Sequence, residues 1–277
     1  MNDNGKTARE ARGAYDLVAI DVDGTLLNSK SELSDGAEAA VKAVRNRGIG
    51  VTLVSGRGKL PLTPLLHRLG IELPYIGSGG AYIADPLSGH VIEHNPLTRE
   101  DVAMVVELGR AAQMGIFFEE VDRLTGEASP EVMRFIRAIA GVDVAVATDI
   151  LRETRAAPTK MFLTGDHNRL VKVETQIRQS NRPLNLVFSE PIYLEVTRSG
   201  INKGAAVRRL AEYLNLPLQR IAVIGDGGND ISMFRIAGLS VAMGNAGPDV
   251  KAAANFVAPT NDEGGVAWAL RELILKA

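Results

Sequence analysis

The sequence predicts an α/β fold in which a parallel-sheet core is assembled from two separated stretches of chain, with a second α/β domain inserted between them. Three observations carry that prediction. Apolar runs from Leu17 to Leu26, Ile49 to Val54 and Ile221 to Gly225, each interrupted or ended by Asp21, Ser55 or Asp226, read as strands buried on both faces. Helical stretches with recognisable caps follow them, as the crossovers of a parallel sheet require. From about residue 85 to residue 196 the pattern changes to strands and helices with apolar faces of their own, enough for a separate core. The resulting division is a tail at 1–14, a core at 15–84 and 197–277, and an insert at 85–196.

Within the first run, Asp21 and Asp23 are two apart, so on a continuous strand they point to one face, at the end where open parallel sheets bind ligands. Gly24 then lets the backbone turn. Two carboxylates this close need a cation between them, or one must keep a proton. Mg²⁺ suits such a pair, since it takes carboxylate, water and phosphate oxygens. The plain alternative is two solvated aspartates at a strand end.

Ser34, Asp35 and Glu38 open a helix that Gly48 closes. The second strand ends in Ser55-Gly56-Arg57, where a hydroxyl and bare backbone N–H groups suit an anion or simply make a strand-to-helix turn. A proline-interrupted helix from Lys59 to Leu69 leads to a third strand at Pro74 to Gly77 and a flexible exit at Ser78 to Ala81. Tyr82 to Ala84 and His90 to Ile92 form a hairpin, which removes the helical reason to read His90 and His94 as a zinc pair.

The insert holds helices from Thr98, from Ser129 and from Asp166. Its strands run over Ile116 to Val121, Lys160 to Leu163, Leu184 to Phe188 and Tyr193 to Val196. Glu119, Lys160 and Ser189 are candidates to reach a ligand, or are surface residues.

The core resumes with Asn202 capping a helix that begins at Lys203. A cation there opposes the helix dipole, so it calls for a nearby anion such as phosphate, or is a solvated lysine. Asp226 repeats the arrangement of Asp21, and Asp230 starts the next helix, either facing the same crevice or serving as a cap. Short strands at Leu239 to Gly244 and Ala254 to Val257 and a terminal helix with Trp268 packed in the core complete the chain.

Composition excludes several roles. A formal charge of -2 with 23% charged residues leaves no footprint for nucleic acid or anionic membrane. No apolar run reaches the ~18 residues of a membrane helix. With no cysteine there is no thiolate chemistry, and a reducing cytoplasm is the expected location.

If the two halves of the core share one sheet, Asp21, Asp23, Ser55, Lys203, Asp226 and Asp230 converge, and their charge makes a divalent cation nearly obligatory. That set suits phosphoryl transfer, which depends on positioning and charge neutralisation. Asp21 is the candidate nucleophile and Asp23 the acid and base. Ser55, Gly56 and Lys203 hold phosphoryl oxygens; Asp21, Asp226 and the carbonyl of Asp23 bind Mg²⁺. Thr25, Asn229 and Asp230 support these groups, and Arg57 contacts substrate or stiffens its turn.

Asp21-Val22-Asp23-Gly24-Thr25-Leu26, Ser55-Gly56-Arg57, Lys203-Gly204 and Gly225-Asp226-Gly227-Gly228-Asn229-Asp230, in this order, resemble the four motifs of the haloacid dehalogenase (HAD) superfamily. The insert resembles the α/β (C2B-type) cap of its Cof-type, subfamily IIB phosphatases. The resemblance implies a Rossmann-like core, Mg²⁺ and hydrolysis of a small phosphorylated metabolite by a monomer or homodimer. A phosphosugar mutase and a non-catalytic metabolite-binding protein are the alternatives on the same scaffold. One departure is Gly79, where related sequences often carry Asn.

Overall fold

The computed structural model describes residues 14–154 and 157–276, the side chain of Ser189 excepted. The tail expected over 1–14 therefore lies outside the described residues except for Ala14.

In chain order the strands are β1 (Leu17–Ile20), β2 (Gly50–Leu53), β3 (Tyr75–Gly77), β4 (Tyr82–Ala84), β5 (Val91–His94), β6 (Gly115–Glu119) and β7 (Leu124–Glu127). They continue as β8 (Ala145–Val146), β9 (Lys160–Thr164), β10 (Leu184–Glu190), β11 (Tyr193–Arg198), β12 (Ile221–Gly225), β13 (Leu239–Ala242) and β14 (Phe256–Val257). The chain divides into two compact units, one reaching through Gly56 and including Leu65–Ile92 and everything from Asn202, the other made of Arg57–Pro64 and Glu93–Ile201.

The first unit is built on a five-stranded parallel sheet in the order β14-β13-β12-β1-β2. Its central strands β1, β12 and β13 are buried at every residue, which explains their unbroken apolar sequences. Each fully buried Val, Leu or Ile there contributes roughly 1.5–3 kcal/mol. From β1 the chain goes to β2 on one side and returns to β12 on the other, so β1 borders the point where strand order reverses. Ligands bind at the carboxyl ends of strands at such a point.

Three local features differ from expectation. The first strand stops at Ile20, and Val22–Leu26 form one irregular turn in which Asp23 is extended and Gly24 has φ +74°. Strand alternation therefore does not place Asp21 and Asp23: Asp21 is buried and Asp23 exposed. The third strand meets the core sheet through a bridge from Val54 to Ile76 and otherwise belongs to a three-stranded sheet, β3-β4-β5. Ser78–Gly80 is a 3₁₀ turn anchored by the Gly79 N–H donating to the Ser55 carbonyl at 2.8 Å.

The second unit carries a six-stranded sheet, β10-β11-β9-β6-β7-β8, antiparallel but for the β7–β8 pair. Helices Arg99–Ala111 and His167–Gln179 bury Val102, Val105, Val106, Leu170, Val173 and Ile177 against Ile116, Phe118, Met161 and Leu163. Phe117 packs instead with Met133 and Ile136 of helix Pro130–Ala140. Strands β7 and β8 and the short helix Ile150–Glu153 were not expected from sequence. Ser34, Thr98, Ser129, Asp166 and Asn202 all accept a backbone N–H at a helix start, as their positions predict. Among the described residues no helix is long and apolar enough to cross a membrane.

Candidate active site

Asp21 and Asp226 stand directly past the tips of neighbouring strands, since Ile20 and Ile224 are partners in the β1–β12 register. The Asp21 N–H donates to the Ile224 carbonyl at 2.9 Å, which fixes the backbone that carries the carboxylate. Asp230 is fully buried, and its Oδ2 accepts the N–H groups of Asp226 at 2.9 Å and Gly227 at 2.8 Å. Two glycines make this closeness attainable. A Cβ at Gly24 would lie 2.3 Å from Asp226 Oδ2, and one at Gly225 would lie 2.4 Å from the Asp230 carboxyl carbon.

Lys203 opens helix Lys203–Tyr213, and its side chain is 2% exposed. Nζ donates to Asp21 Oδ1 at 2.5 Å and to Asp230 Oδ1 at 2.6 Å. The anions that offset the helix dipole here are thus two carboxylates of the chain itself. Burial disfavours the Lys203 ammonium, but Asp21 and Asp230 outweigh it and hold its pKa above the ordinary lysine value.

The acids respond in the opposite direction. Burial raises the Asp21 carboxyl to about 7, with Lys203 pulling it down and Asp230 adding to the rise. Burial also raises Asp226, against the hydrogen bond from Thr25. One oxygen from each of Asp21, Asp226 and Asp230 lies within 4.8 Å of the others, and the Lys203 ammonium bonds two of the three carboxylates, Asp21 and Asp230.

That donor set fits a hard divalent cation. Both oxygens of Asp230 are committed to Lys203 and to backbone N–H groups, so Asp230 orients its neighbours. Asp21 and the half-buried Asp226, each past a strand tip, are the candidate ligands, and Thr25, buried, donates to Asp226 Oδ1 at 2.8 Å.

Ser55 is buried past the tip of β2, on the strand beside β1, with its N–H on the Ile76 carbonyl at 3.0 Å. Gly56 is exposed and Arg57 half-buried. Asn229 is exposed, and its carbonyl accepts the Ser232 hydroxyl at 2.9 Å. Gly79 has φ +70°, a conformation asparagine tolerates, and a Cβ built on it meets nothing within 4 Å.

In the second unit, Lys160 Nζ lies 3.4 Å from Glu119 Oε2 and 3.6 Å from Glu195 Oε2, on three adjacent strands. Burial disfavours its ammonium, and the two glutamates more than restore it. The Ser189 side chain lies outside the described residues. His94 Nε2 pairs with the Thr159 hydroxyl at 2.9 Å.

Asn245 escaped the sequence reading. Its Nδ2 donates to the Gly24 carbonyl at 2.8 Å and to Asp226 Oδ2 at 3.3 Å. The available signal was a Gly-Asn pair at Gly244 and Asn245, just past a buried strand that runs parallel to β12.

Comparison with known proteins finds similar chains over nearly the whole sequence. Residues 18–270 match the haloacid dehalogenase-like hydrolase family. The chain is 30% identical to Phosphatase YwpJ of Bacillus subtilis (strain 168) over 93% of its own length and 99% of that protein's. It superposes on a haloacid dehalogenase-like hydrolase from Bacteroides thetaiotaomicron with a TM-score of 0.88 and 31% identity, over 94% of this chain and 99% of that one. The HAD subclass IIB sugar phosphatase BT4131 gives a TM-score of 0.78 at 25% identity, over 92% and 97% of the two chains.

Proposed function

This chain belongs to the haloacid dehalogenase-like hydrolases, and from that premise we propose that it is a Mg²⁺-dependent phosphatase. Its substrate is a small phosphorylated metabolite, a sugar phosphate or similar, cleaved through an aspartyl-phosphate on Asp21. The observation that carries the reading is the bridge from Lys203 to both Asp21 and Asp230, with Asp226 beside them. An ammonium ion-paired to two carboxylates in the interior serves stability poorly compared with apolar packing, whereas it presents and charges a nucleophile well.

In the proposed course, an Asp21 oxygen attacks phosphorus in line and the bond to the substrate oxygen breaks. Asp23 gives its proton to the departing alkoxide. Asp23 then takes a proton from water, which attacks the acyl phosphate and releases inorganic phosphate and the Asp21 carboxylate. Lys203, the Ser55 hydroxyl and the Gly56 N–H hold the phosphoryl oxygens, and Asp230 holds Lys203 and the Asp226 backbone. Asp21, Asp226 and the carbonyl of Asp23 would hold the ion, with Thr25 and Asn229 in support. When bound, Mg²⁺ neutralises the acids and the phosphoryl charge.

The resemblance of the second unit to a subfamily IIB cap supports metabolite substrates, with Arg57 as a further substrate contact. The test is phosphate release from a panel of phosphorylated metabolites, with and without Mg²⁺, by wild type and Asp21→Asn. Turnover that needs both Mg²⁺ and Asp21 is the expected result; equal turnover by both proteins removes Asp21 from the mechanism. Isomerisation of a hexose phosphate without net phosphate release would assign a mutase instead.

A further inference from the structure

We infer that Asn245 is a positioning residue that locks the two acid-bearing loops together and thereby sets the affinity of the site for its divalent cation. The inference rests on the reading of Asp21 and Asp226 as metal ligands.

Asp226 sits past β12 and Asp23 within the turn past β1, and these two loops are not continuous in sequence. The Asn245 amide joins them, donating to Gly24 O at 2.8 Å and to Asp226 Oδ2 at 3.3 Å. Its own Oδ1 accepts the Asn261 N–H at 3.0 Å, which orients the amide. Both oxygens of Asp226 are therefore held, Oδ1 by Thr25 and Oδ2 by Asn245.

Without the Asn245 amide, Oδ2 of the half-buried Asp226 loses this donor while Thr25 still holds Oδ1, and the carbonyl one residue beyond Asp23 loses its anchor. Fixing a ligand's orientation from outside the coordination sphere changes metal affinity by about 10- to 100-fold.

Asn261 supplies an internal control. Its side-chain Nδ2 donates to Leu27 O at 3.0 Å, just past the same turn, while its backbone N–H serves Asn245. Asn261→Ala removes the first bond and keeps the second.

The experiment is calorimetric titration of the full chain with Mg²⁺, and with Mn²⁺ as a tighter-binding probe, in the absence of substrate, alongside metal-free thermal unfolding. Asn245→Ala is expected to bind either ion at least tenfold more weakly than wild type, with a metal-free melting temperature close to it, and Asn261→Ala to bind like wild type. If Asn245→Ala does not fold, Asn245→Ser takes its place, since serine keeps a polar group for the Asn261 N–H without an amide to span both oxygens. Wild-type affinity in the Asn245 variant overturns the inference, as does an equal loss in Asn261→Ala. A wild-type protein that binds neither ion overturns the metal reading itself, and this inference with it.

Discussion

Lys203 Nζ lies 2.5 Å from Asp21 Oδ1, an ion pair between residues 182 apart in sequence that is closed to solvent. Removing one partner of a buried pair leaves the other charged and unpaired, at about 3–5 kcal/mol. Lys203→Met is therefore expected to lower stability by that order at pH 8 and to lower kcat at least a hundredfold. Lys203→Arg is expected to fail as a rescue, because a planar guanidinium does not fit a slot shaped for an ammonium. Denaturant unfolding and steady-state kinetics of the two variants check this.

Asp21→Asn is expected to reduce phosphate release by at least about a thousandfold while stabilising the metal-free protein, because Lys203 keeps its pairing with Asp230 and a buried carboxylate is removed. The folded carboxyl, near pH 7, takes up its proton well above the ordinary aspartate value of 3.8. Between those values the folded state binds more protons than the unfolded, so this group's contribution to stability falls as pH rises through the window. The melting-temperature gain of Asn over Asp should thus be largest above pH 7 and vanish near pH 4. A gain that does not vary with pH would contradict the assignment.

The same carboxyl predicts how metal and pH interact. A nucleophile must be unprotonated, so at low Mg²⁺ kcat/KM is expected to fall as pH drops through about 7. Saturating Mg²⁺ competes with the proton and should move that acid limb to lower pH. Profiles of kcat/KM against pH at two Mg²⁺ concentrations would refute the expectation if their acid limbs coincide.

Gly24→Ala is expected to cripple the site while sparing the rest of the fold. The backbone there costs an L-residue ~1–2 kcal/mol, and the added methyl would lie 2.3 Å from Asp226 Oδ2. Metal affinity should fall more than melting temperature, which titration and thermal unfolding can separate.

In the second unit, Arg110 grips both Glu127 oxygens, at 2.7 and 2.6 Å, and Glu127 also accepts the Ile150 N–H. Arg110 holds the Glu127 pKa below its ordinary value, so its stabilisation is present above the unfolded pKa and is lost as pH falls through the folded one. Glu127→Gln is expected to cost about 1 kcal/mol at pH 7. The cost should disappear in acid, as measured by urea unfolding.

The strands of the parallel sheet were legible in the sequence because burial on both faces demands unbroken apolar runs, and the helix starts because an orphan N–H selects Ser, Thr, Asp or Asn. Strands β7 and β8 were not, since four residues as mixed as Leu124–Glu127 and a pair such as Ala145–Val146 owe their structure to the neighbours they pair with. Asp23 was read onto a strand face because local pattern extends a strand until something breaks it, and the turn at Val22–Leu26 does so only with Gly24 beneath Asp226.

By itself, the sequence determined which residues are acids at strand ends, in what order they come, and that a parallel sheet would be needed to gather them. Only the tertiary structure decided that Lys203 answers to Asp21 and Asp230, that Asp230 is occupied by backbone N–H groups, and that Asn245 closes the ring. The reason is physical: hydrophobic period and capping are properties of neighbours along the chain. The energy of a buried charge is a property of neighbours in space.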